Sequence, residues 1–107
     1  MLGVDIVLIS RFEESFDKMV ERLLTKDEKK QLELRKNHLG QVEYLAGRFA
    51  SKEAFVKATG NKSVSYQDLS IIDDDLGKPH FFFKGEERGE ISISHDGYAI
   101  AVYLDKQ

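Results

Sequence analysis

Apolar positions along this chain change their spacing several times, and each change marks an element. Leu2 to Ile9 (LGVDIVLI) is a nearly unbroken β-branched apolar run, the pattern of a buried strand. From Phe12 the spacing turns helical. Phe12, Phe16, Met19, Val20 and Leu23 make one side of a helix expected to begin at Ser10, where Ser10 and Glu13 have the S-x-x-E spacing of a capping box. Thr25 and Glu28 repeat that spacing and restart the helix through TKDEKKQLELRKN, a charged segment with few apolar anchors that is expected on the surface. A break at Asn37 to Gly40 precedes a longer helix, expected from about Gly40 to Thr59 with Gly60 as its C′ residue. Its stripe is Val42, Leu45, Ala46, Phe49 and Ala50, at i, i+3, i+4, i+7 and i+8.

The last third of the chain changes period to two. Leu69 to Ile72 and His80 to Lys84 read as short strands around the turn DDDLGKP, and GEERG makes a further turn. Ile91 and Ile93 then alternate with Ser92 and Ser94, His95-Asp96-Gly97 gives a hairpin with Asp-Gly at its tip, and Tyr98 to Leu104 returns as a strand. One N-terminal strand, three helices and a run of antiparallel strands define an α+β chain. No repeat, linker or low-complexity segment divides it, so residues 1–107 are expected to form one domain.

Two acids stand where this pattern calls for apolar residues. Asp5 interrupts the first strand, and the helical stripe, continued at roughly 100° per residue, reaches Glu53. Lys57 follows Glu53 at i+4, and Arg48 and Lys52 lie along one flank, so the helix is expected to carry a half-buried acid ringed by bases. Burying an unpaired carboxylate costs several kcal/mol, on the order of that for other buried charges. If Asp5 and Glu53 both point inward they need a cation between them, and magnesium commonly takes one or two carboxylates with waters and substrate phosphates. The alternatives are an edge strand with Asp5 facing water, a bulge beside Gly3, or a salt-bridge cluster without a ligand.

Composition narrows the classes. Lys and Arg total 16 against 19 Asp and Glu, a formal net charge of −3, which argues against bulk nucleic-acid binding but leaves room for a local basic patch. There is no cysteine, hence no disulfide framework and no thiolate zinc site. No secretory signal or membrane-length apolar run is present, so the cytoplasm is the expected compartment. Walker and Rossmann phosphate loops are absent, no Ser-His-Asp arrangement is visible, and the three histidines lack zinc-ligand spacing. A 107-residue chain has little room for a deep cleft of its own, which makes a site shared between subunits plausible.

Four segments in order, GVDIVLISR, GRFASKEAFVKA, LGKP and SISHDGYAIAV, resemble the bacterial holo-[acyl-carrier-protein] synthases, the small class of 4′-phosphopantetheinyl transferases. The resemblance runs over nearly the whole chain. It implies the 4′-phosphopantetheinyl transferase fold and transfer of the phosphopantetheine arm of coenzyme A to a serine of apo acyl carrier protein, a step of fatty acid and lipid biosynthesis, with release of adenosine 3′,5′-bisphosphate. By the same resemblance Asp5 and Glu53 are the magnesium (Mg2+) ligands, and Lys57 contacts phosphate. Arg48 and His95 hold the 3′-phosphate with Lys52 nearby, and Pro79 belongs to the loop by the adenine. Arg11, Lys18 and Arg22 make a basic face for the acidic carrier protein, and the assembly is a homotrimer with sites between subunits. Two rival readings remain from the residues alone: another metal-dependent phosphotransferase or phosphohydrolase using Asp5 and Glu53, or a non-catalytic module whose basic helix docks an acidic partner. The general base is open among Asp5, Glu53, a metal-bound water and Asp96.

Overall fold

The computed structural model describes residues 1–106. Strand β1 (Leu2–Leu8) leads through a 3₁₀ turn (Ile9–Phe12) to helices α1 (Phe16–Leu23), α2 (Lys26–Leu32) and α3 (His38–Thr59). A second 3₁₀ turn (Tyr66–Asp68) opens into β2 (Leu69–Asp73), β3 (Pro79–Phe83), the two-residue β4 (Glu86–Glu87), β5 (Glu90–Asp96) and β6 (Tyr98–Leu104). All pairings are antiparallel, in two three-stranded sheets of order β1-β6-β5 and β2-β3-β4. The α+β class and the order of one strand, three helices and then antiparallel strands are those expected from the pattern, whereas the short β4 lies within GEERG, expected as a turn.

The central helix is long because both ends are closed. Asn37 accepts a hydrogen bond from Gly40 N, and Gly60 takes the left-handed conformation (φ 73°) that ends the helix. α3 is packed against β1 and β6 on one side and against α1 and the 3₁₀ turn at Ile9–Phe12 on others. Its Phe55 stacks on Phe81 and Phe83, with ring centroids 5.0 and 5.6 Å away, and meets Tyr103 edge-on at 5.1 Å. Those four rings join helix and both sheets.

The first helix departs from expectation. Ser10 and Glu13 form no capping box; Ile9–Phe12 is a 3₁₀ turn, and α1 starts at Phe16 behind Ser15, which has a left-handed backbone (φ 61°) and makes no side-chain cap. Burial explains this. Ile9 and Phe12 are both core residues three positions apart, a spacing the tighter 3₁₀ turn eclipses on one side. The Thr25–Glu28 box does form, with both reciprocal bonds. Glu28 is nevertheless fully buried, so α2 is not the wholly surface segment its charge implies.

Strand β1 is an edge strand with alternating faces. Gly3, Asp5 and Val7 turn inward to α3, while Leu2, Val4, Ile6 and Leu8 turn outward. Each outward residue is registered against an apolar or aromatic one of β6: Leu104, Val102, Ile100 and Tyr98. This outer face is uncovered, with Leu2 67%, Val4 53% and Ile6 56% exposed. The unbroken apolar run thus has one face buried within the chain and one left open.

Two tests follow. A Cβ on Gly3 would stand 2.1 Å from Ala54 O and 2.6 Å from Ala58 N, both backbone atoms of α3. Gly3→Ala must push β1 off the helix and is expected to lose about 1–3 kcal/mol or more of stability, read as a lower urea midpoint. The second test concerns His80, whose Nδ1 and Nε2 lie 2.7 Å from Glu87 Oε2 and 2.9 Å from Asp74 Oδ2. Both ring nitrogens can donate only in the imidazolium, so the bonds to Asp74 and Glu87 raise the histidine pKa above its usual value, and the same contact to His80 lowers that of Asp74. The His80 contribution to stability is therefore complete below about pH 6.5 and disappears as pH rises through the raised folded value. That of Asp74 is present above about pH 3.9 and is lost as pH falls through its depressed one. An NMR titration should place the His80 midpoint above about 6.5, and Asp74→Asn should bring it down.

Candidate active site

Asp5 reaches the site because β1 runs close over α3. Gly3, without a side chain, lets the strand rest on Ala54 and Ala58, and Asp5, two residues on, projects from the same face. Its side chain is 12% exposed, and Oδ1 accepts a hydrogen bond from Lys57 Nζ at 2.9 Å. Oδ2 is buried and accepts none; among the described residues it is the one buried side-chain nitrogen or oxygen without a partner. The water-facing alternative for Asp5 does not hold, although β1 is indeed an edge strand.

Glu53, one turn before Lys57 on α3, is half-buried. Its Oε2 accepts a hydrogen bond from the phenol of Tyr66 at 3.0 Å. Burial raises the Tyr66 pKa, as do that bond and the charges of Glu53 and Asp5, while Arg22 opposes. Both carboxylates therefore act on one hydroxyl. Among the described residues no three His, Asp or Glu side chains form a metal cluster. A divalent ion here would take two protein carboxylates and leave most of its coordination sphere to water and substrate oxygens, the habit of magnesium.

The ring of bases expected about Glu53 is not there. Lys52 is wholly buried and faces away from solvent, donating to Leu23 O (2.6 Å), Glu28 Oε1 (2.7 Å) and Tyr66 O (3.1 Å), which uses all three of its N–H groups. No donor remains for a phosphate. Burial holds its pKa below the ordinary lysine range, with Glu28 opposing. Arg48 is 5% exposed; Nε donates to Ile71 O (3.1 Å), Nη2 to Asp73 Oδ1 (2.8 Å), and its guanidinium lies 4.1 Å from the centre of the Tyr44 ring. The phenol of Tyr44 is pushed up to about 12, chiefly by burial. Lys52 and Arg48 continue a second buried row with Leu45 and Phe55, at i, i+3, i+7 and i+10. A one-stripe helical reading missed this row because α3 is enclosed on more than one side.

His95, near the end of β5, is exposed and has Glu43 Oε2 at 3.5 Å from Nδ1. It lines a shallow cavity of about 280 Å³ with Ile6, Ser94, Asp96, Tyr98 and Ile100. Glu43 and Glu53 are ten residues apart on α3, about 15 Å at 1.5 Å per residue, so His95 and the Asp5–Glu53 pair belong to different ends of the helix. Pro79 lies in a third place, at the start of β3, beside Lys78, His80 and Glu90 in a cavity of about 210 Å³.

The three basic residues expected on one helix face are split. Arg11 is on the 3₁₀ turn, whereas Lys18 and Arg22 are on α1. Arg11 and Arg22 still meet, at the wall of a cavity of about 250 Å³ with Phe12, Met19, Leu23, Phe49 and Tyr66; Lys18 is not part of it. Tyr66 was missed from the sequence, where it stands as one aromatic in the polar loop NKSVSYQ.

The arrangement has close counterparts. The model of the 4′-phosphopantetheinyl transferase superfamily matches residues 1–103. The holo-[acyl-carrier-protein] synthase of Geobacillus sp. (strain WCH70) is 43% identical over 108 residues, covering 94% of this chain and 90% of that protein. The crystal structure of a holo-(acyl-carrier-protein) synthase from Bacillus anthracis str. Ames, in complex with CoA (3′,5′-ADP), has a TM-score of 0.84 at 38% identity, covering 98% of this chain and 96% of the other. The Helicobacter pylori holo-[acyl-carrier-protein] synthase in complex with coenzyme A has a TM-score of 0.79 at 30% identity, covering 97% and 98%. No helix among the described residues is long and apolar enough to cross a membrane. With sequence and fold in agreement, the chain belongs to the 4′-phosphopantetheinyl transferase superfamily, among the holo-[acyl-carrier-protein] synthases, and is a transferase.

Proposed function

We propose that this chain moves the 4′-phosphopantetheine arm of coenzyme A to a serine of apo acyl carrier protein, releasing adenosine 3′,5′-bisphosphate, with a magnesium ion held by Asp5 and Glu53. The observation that carries the reading is the buried, partnerless Oδ2 of Asp5, whose other oxygen bonds Lys57, one turn after Glu53 on α3. A buried acceptor without a donor suits a cation. The ion would neutralise charge on the pyrophosphate as its bridging bond breaks.

In the reaction the serine oxygen attacks the phosphorus bearing the pantetheine. The bond from that phosphorus to the bridging oxygen breaks, the oxygen leaves with the electron pair on the nucleotide, and the serine proton passes to a base. Lys57, 57% exposed at its side chain, reaches out of the fold from Asp5 and would contact phosphate. His95 would meet the 3′-phosphate, with Arg48 on the same half of α3, and Pro79 would lie by the adenine. Arg11 and Arg22, with Lys18 further along α1, would steer the acidic carrier. Lys52 supports the site from within and touches no substrate. Such an enzyme would work in the cytoplasm, in fatty acid biosynthesis.

The assembly is proposed to be a homotrimer with sites between subunits. Two observations favour it. The outer face of β1 and β6 is an apolar ladder too large to leave in water comfortably. His95 and Ile6 share one cavity at its margin, so covering that face would bring His95 to an interface.

Incubated with coenzyme A, Mg2+ and apo carrier, the enzyme should add the phosphopantetheine mass to the carrier. Asp5→Asn and Glu53→Gln should each lower turnover on the order of 100-fold, since a metal's Lewis acidity is worth several kcal/mol. A carrier of unchanged mass with wild-type enzyme overturns the reading. Sedimentation should show a trimer, which Ile6→Glu or Ile100→Glu disperses with loss of turnover. A wild-type monomer of full activity would refute the shared site.

A further inference from the structure

Glu53 is a long side chain on a helix face, and among the described residues no charged group pairs with it. The group that holds it is the Tyr66 phenol, 3.0 Å from Oε2. Tyr66 is itself fixed at each end. Its carbonyl accepts from the buried ammonium of Lys52 at 3.1 Å. Its 3₁₀ turn is closed by Ser65, whose hydroxyl accepts from Gln67 N at 3.2 Å and whose own N–H donates to Asp68 Oδ2 at 3.2 Å. Its ring rests against Phe49, with centroids 6.0 Å apart, and Phe49 against Phe12 at 5.4 Å. The next residue, Gln67, is tied to Leu24 O at 3.0 Å. A segment that reads as a polar loop is in fact a rigid mount for one hydroxyl.

We infer that Tyr66 is a positioning residue for Glu53: its phenol fixes the carboxylate by one oxygen, Oε2, and leaves the other to a divalent cation shared with Asp5. The inference rests on the proposed metal role of Glu53. A neutral donor suits this task better than a cation. A lysine or arginine in the same place would orient the carboxylate but cancel the charge that attracts the metal, whereas a phenol orients it and leaves that charge in place. Asp5 shows the contrast, since its positioning partner is the charged Lys57, which must share Asp5 with whatever binds there.

Tyr66 has a second neighbourhood that makes the effect separable. One cavity, about 420 Å³, is lined by Tyr66 with Glu53, Val56, Lys62, Val64 and Leu69. Tyr66 also lines the cavity that holds Arg11 and Arg22. The ring is thus a wall between the two. Tyr66→Phe keeps the wall and removes only the hydroxyl.

The test is direct metal binding. Free Mn2+ is counted by electron paramagnetic resonance as it is added to the full chain with coenzyme A present and carrier absent, for wild type, Tyr66→Phe and Glu53→Gln. Loss of a hydrogen bond that orients a ligand typically weakens metal affinity 10–100-fold. Tyr66→Phe should therefore bind Mn2+ at least about tenfold more weakly, with unchanged thermal midpoint and unchanged KM for the carrier. Its turnover should recover at saturating Mg2+. A purely structural role would lower the thermal midpoint without a matching loss of Mn2+ affinity. If Tyr66→Phe binds Mn2+ as wild type does while Glu53→Gln does not, the positioning role is overturned and Glu53 remains a ligand. If Glu53→Gln also binds as wild type, Glu53 is no ligand and the inference fails together with the proposed metal site.

Discussion

The buried pair of Lys52 and Glu28 is the contact on which the helical half of this protein depends. Both side chains are completely enclosed, and an ion pair so placed is favourable only if every remaining donor and acceptor is used. Here they are used widely. The ammonium of Lys52 holds Leu23 O at the end of α1 and Tyr66 O in the turn before β2. Glu28 accepts from Thr25 N at the start of α2 and from Ile71 N in β2. Five elements from three stretches of the chain therefore meet at two charges. A lone charge left there would cost several kcal/mol, so the contact demands all five at once. That demand is what brings α1, with Arg22, and the Tyr66 turn to the same side of α3.

Strand β1 imposes a second constraint. Side chains alternate along a strand, so its inward and outward sets cannot be chosen independently. The inward set carries Gly3, which permits contact with α3, and Asp5, which uses that closeness. The outward set carries Leu2, Val4, Ile6 and Leu8. A slip of one residue would put Asp5 in the apolar ladder and Val4 against Lys57. The backbone contact at Gly3 fixes the register of the candidate metal ligand and of the uncovered face together.

Most elements were legible because their periods are clean. α3 shows its stripe and its closing Gly60, and β5 and β6 show alternation around Asp96-Gly97. Asp5 and Glu53 stood out as acids in apolar settings. What was not legible has specific causes. The Ser10–Glu13 spacing matches a capping box, but burial of both Ile9 and Phe12 favours a 3₁₀ turn, and a local motif cannot outweigh two core residues. Glu28 formed its predicted box, yet its other partners, Lys52 on the same Oε1 and Ile71 N of β2 on Oε2, are distant in sequence. Lys52 and Arg48 looked like a flank because a single stripe assumes one buried side, while α3 has neighbours nearly all round. Tyr66 carried no local signal: its importance comes from Lys52 and Glu53, which are neighbours only after folding. Glycines and acids out of pattern can be read along a chain, but a partner supplied by tertiary contact cannot.

The length of α3 gives the candidate site its layout. The helix is a ruler: His95 touches it at Glu43, Arg48 lies between one and two turns onward, and Glu53 and Lys57 follow toward its end. Candidates for the nucleotide end and for the phosphate end of coenzyme A are thus about 15 Å apart along one axis, and Pro79 stands off that axis on the second sheet. A small chain can define such a line but cannot roof it, since its core already occupies the space on both sides of the helix. The apolar face of β1 and β6 would provide the missing surface in the proposed assembly, because Ile6 and Ile100 of that face line one cavity with His95. Burying the ladder and enclosing the nucleotide end would then be one event, which ties the oligomer to the chemistry through the same strand that positions Asp5.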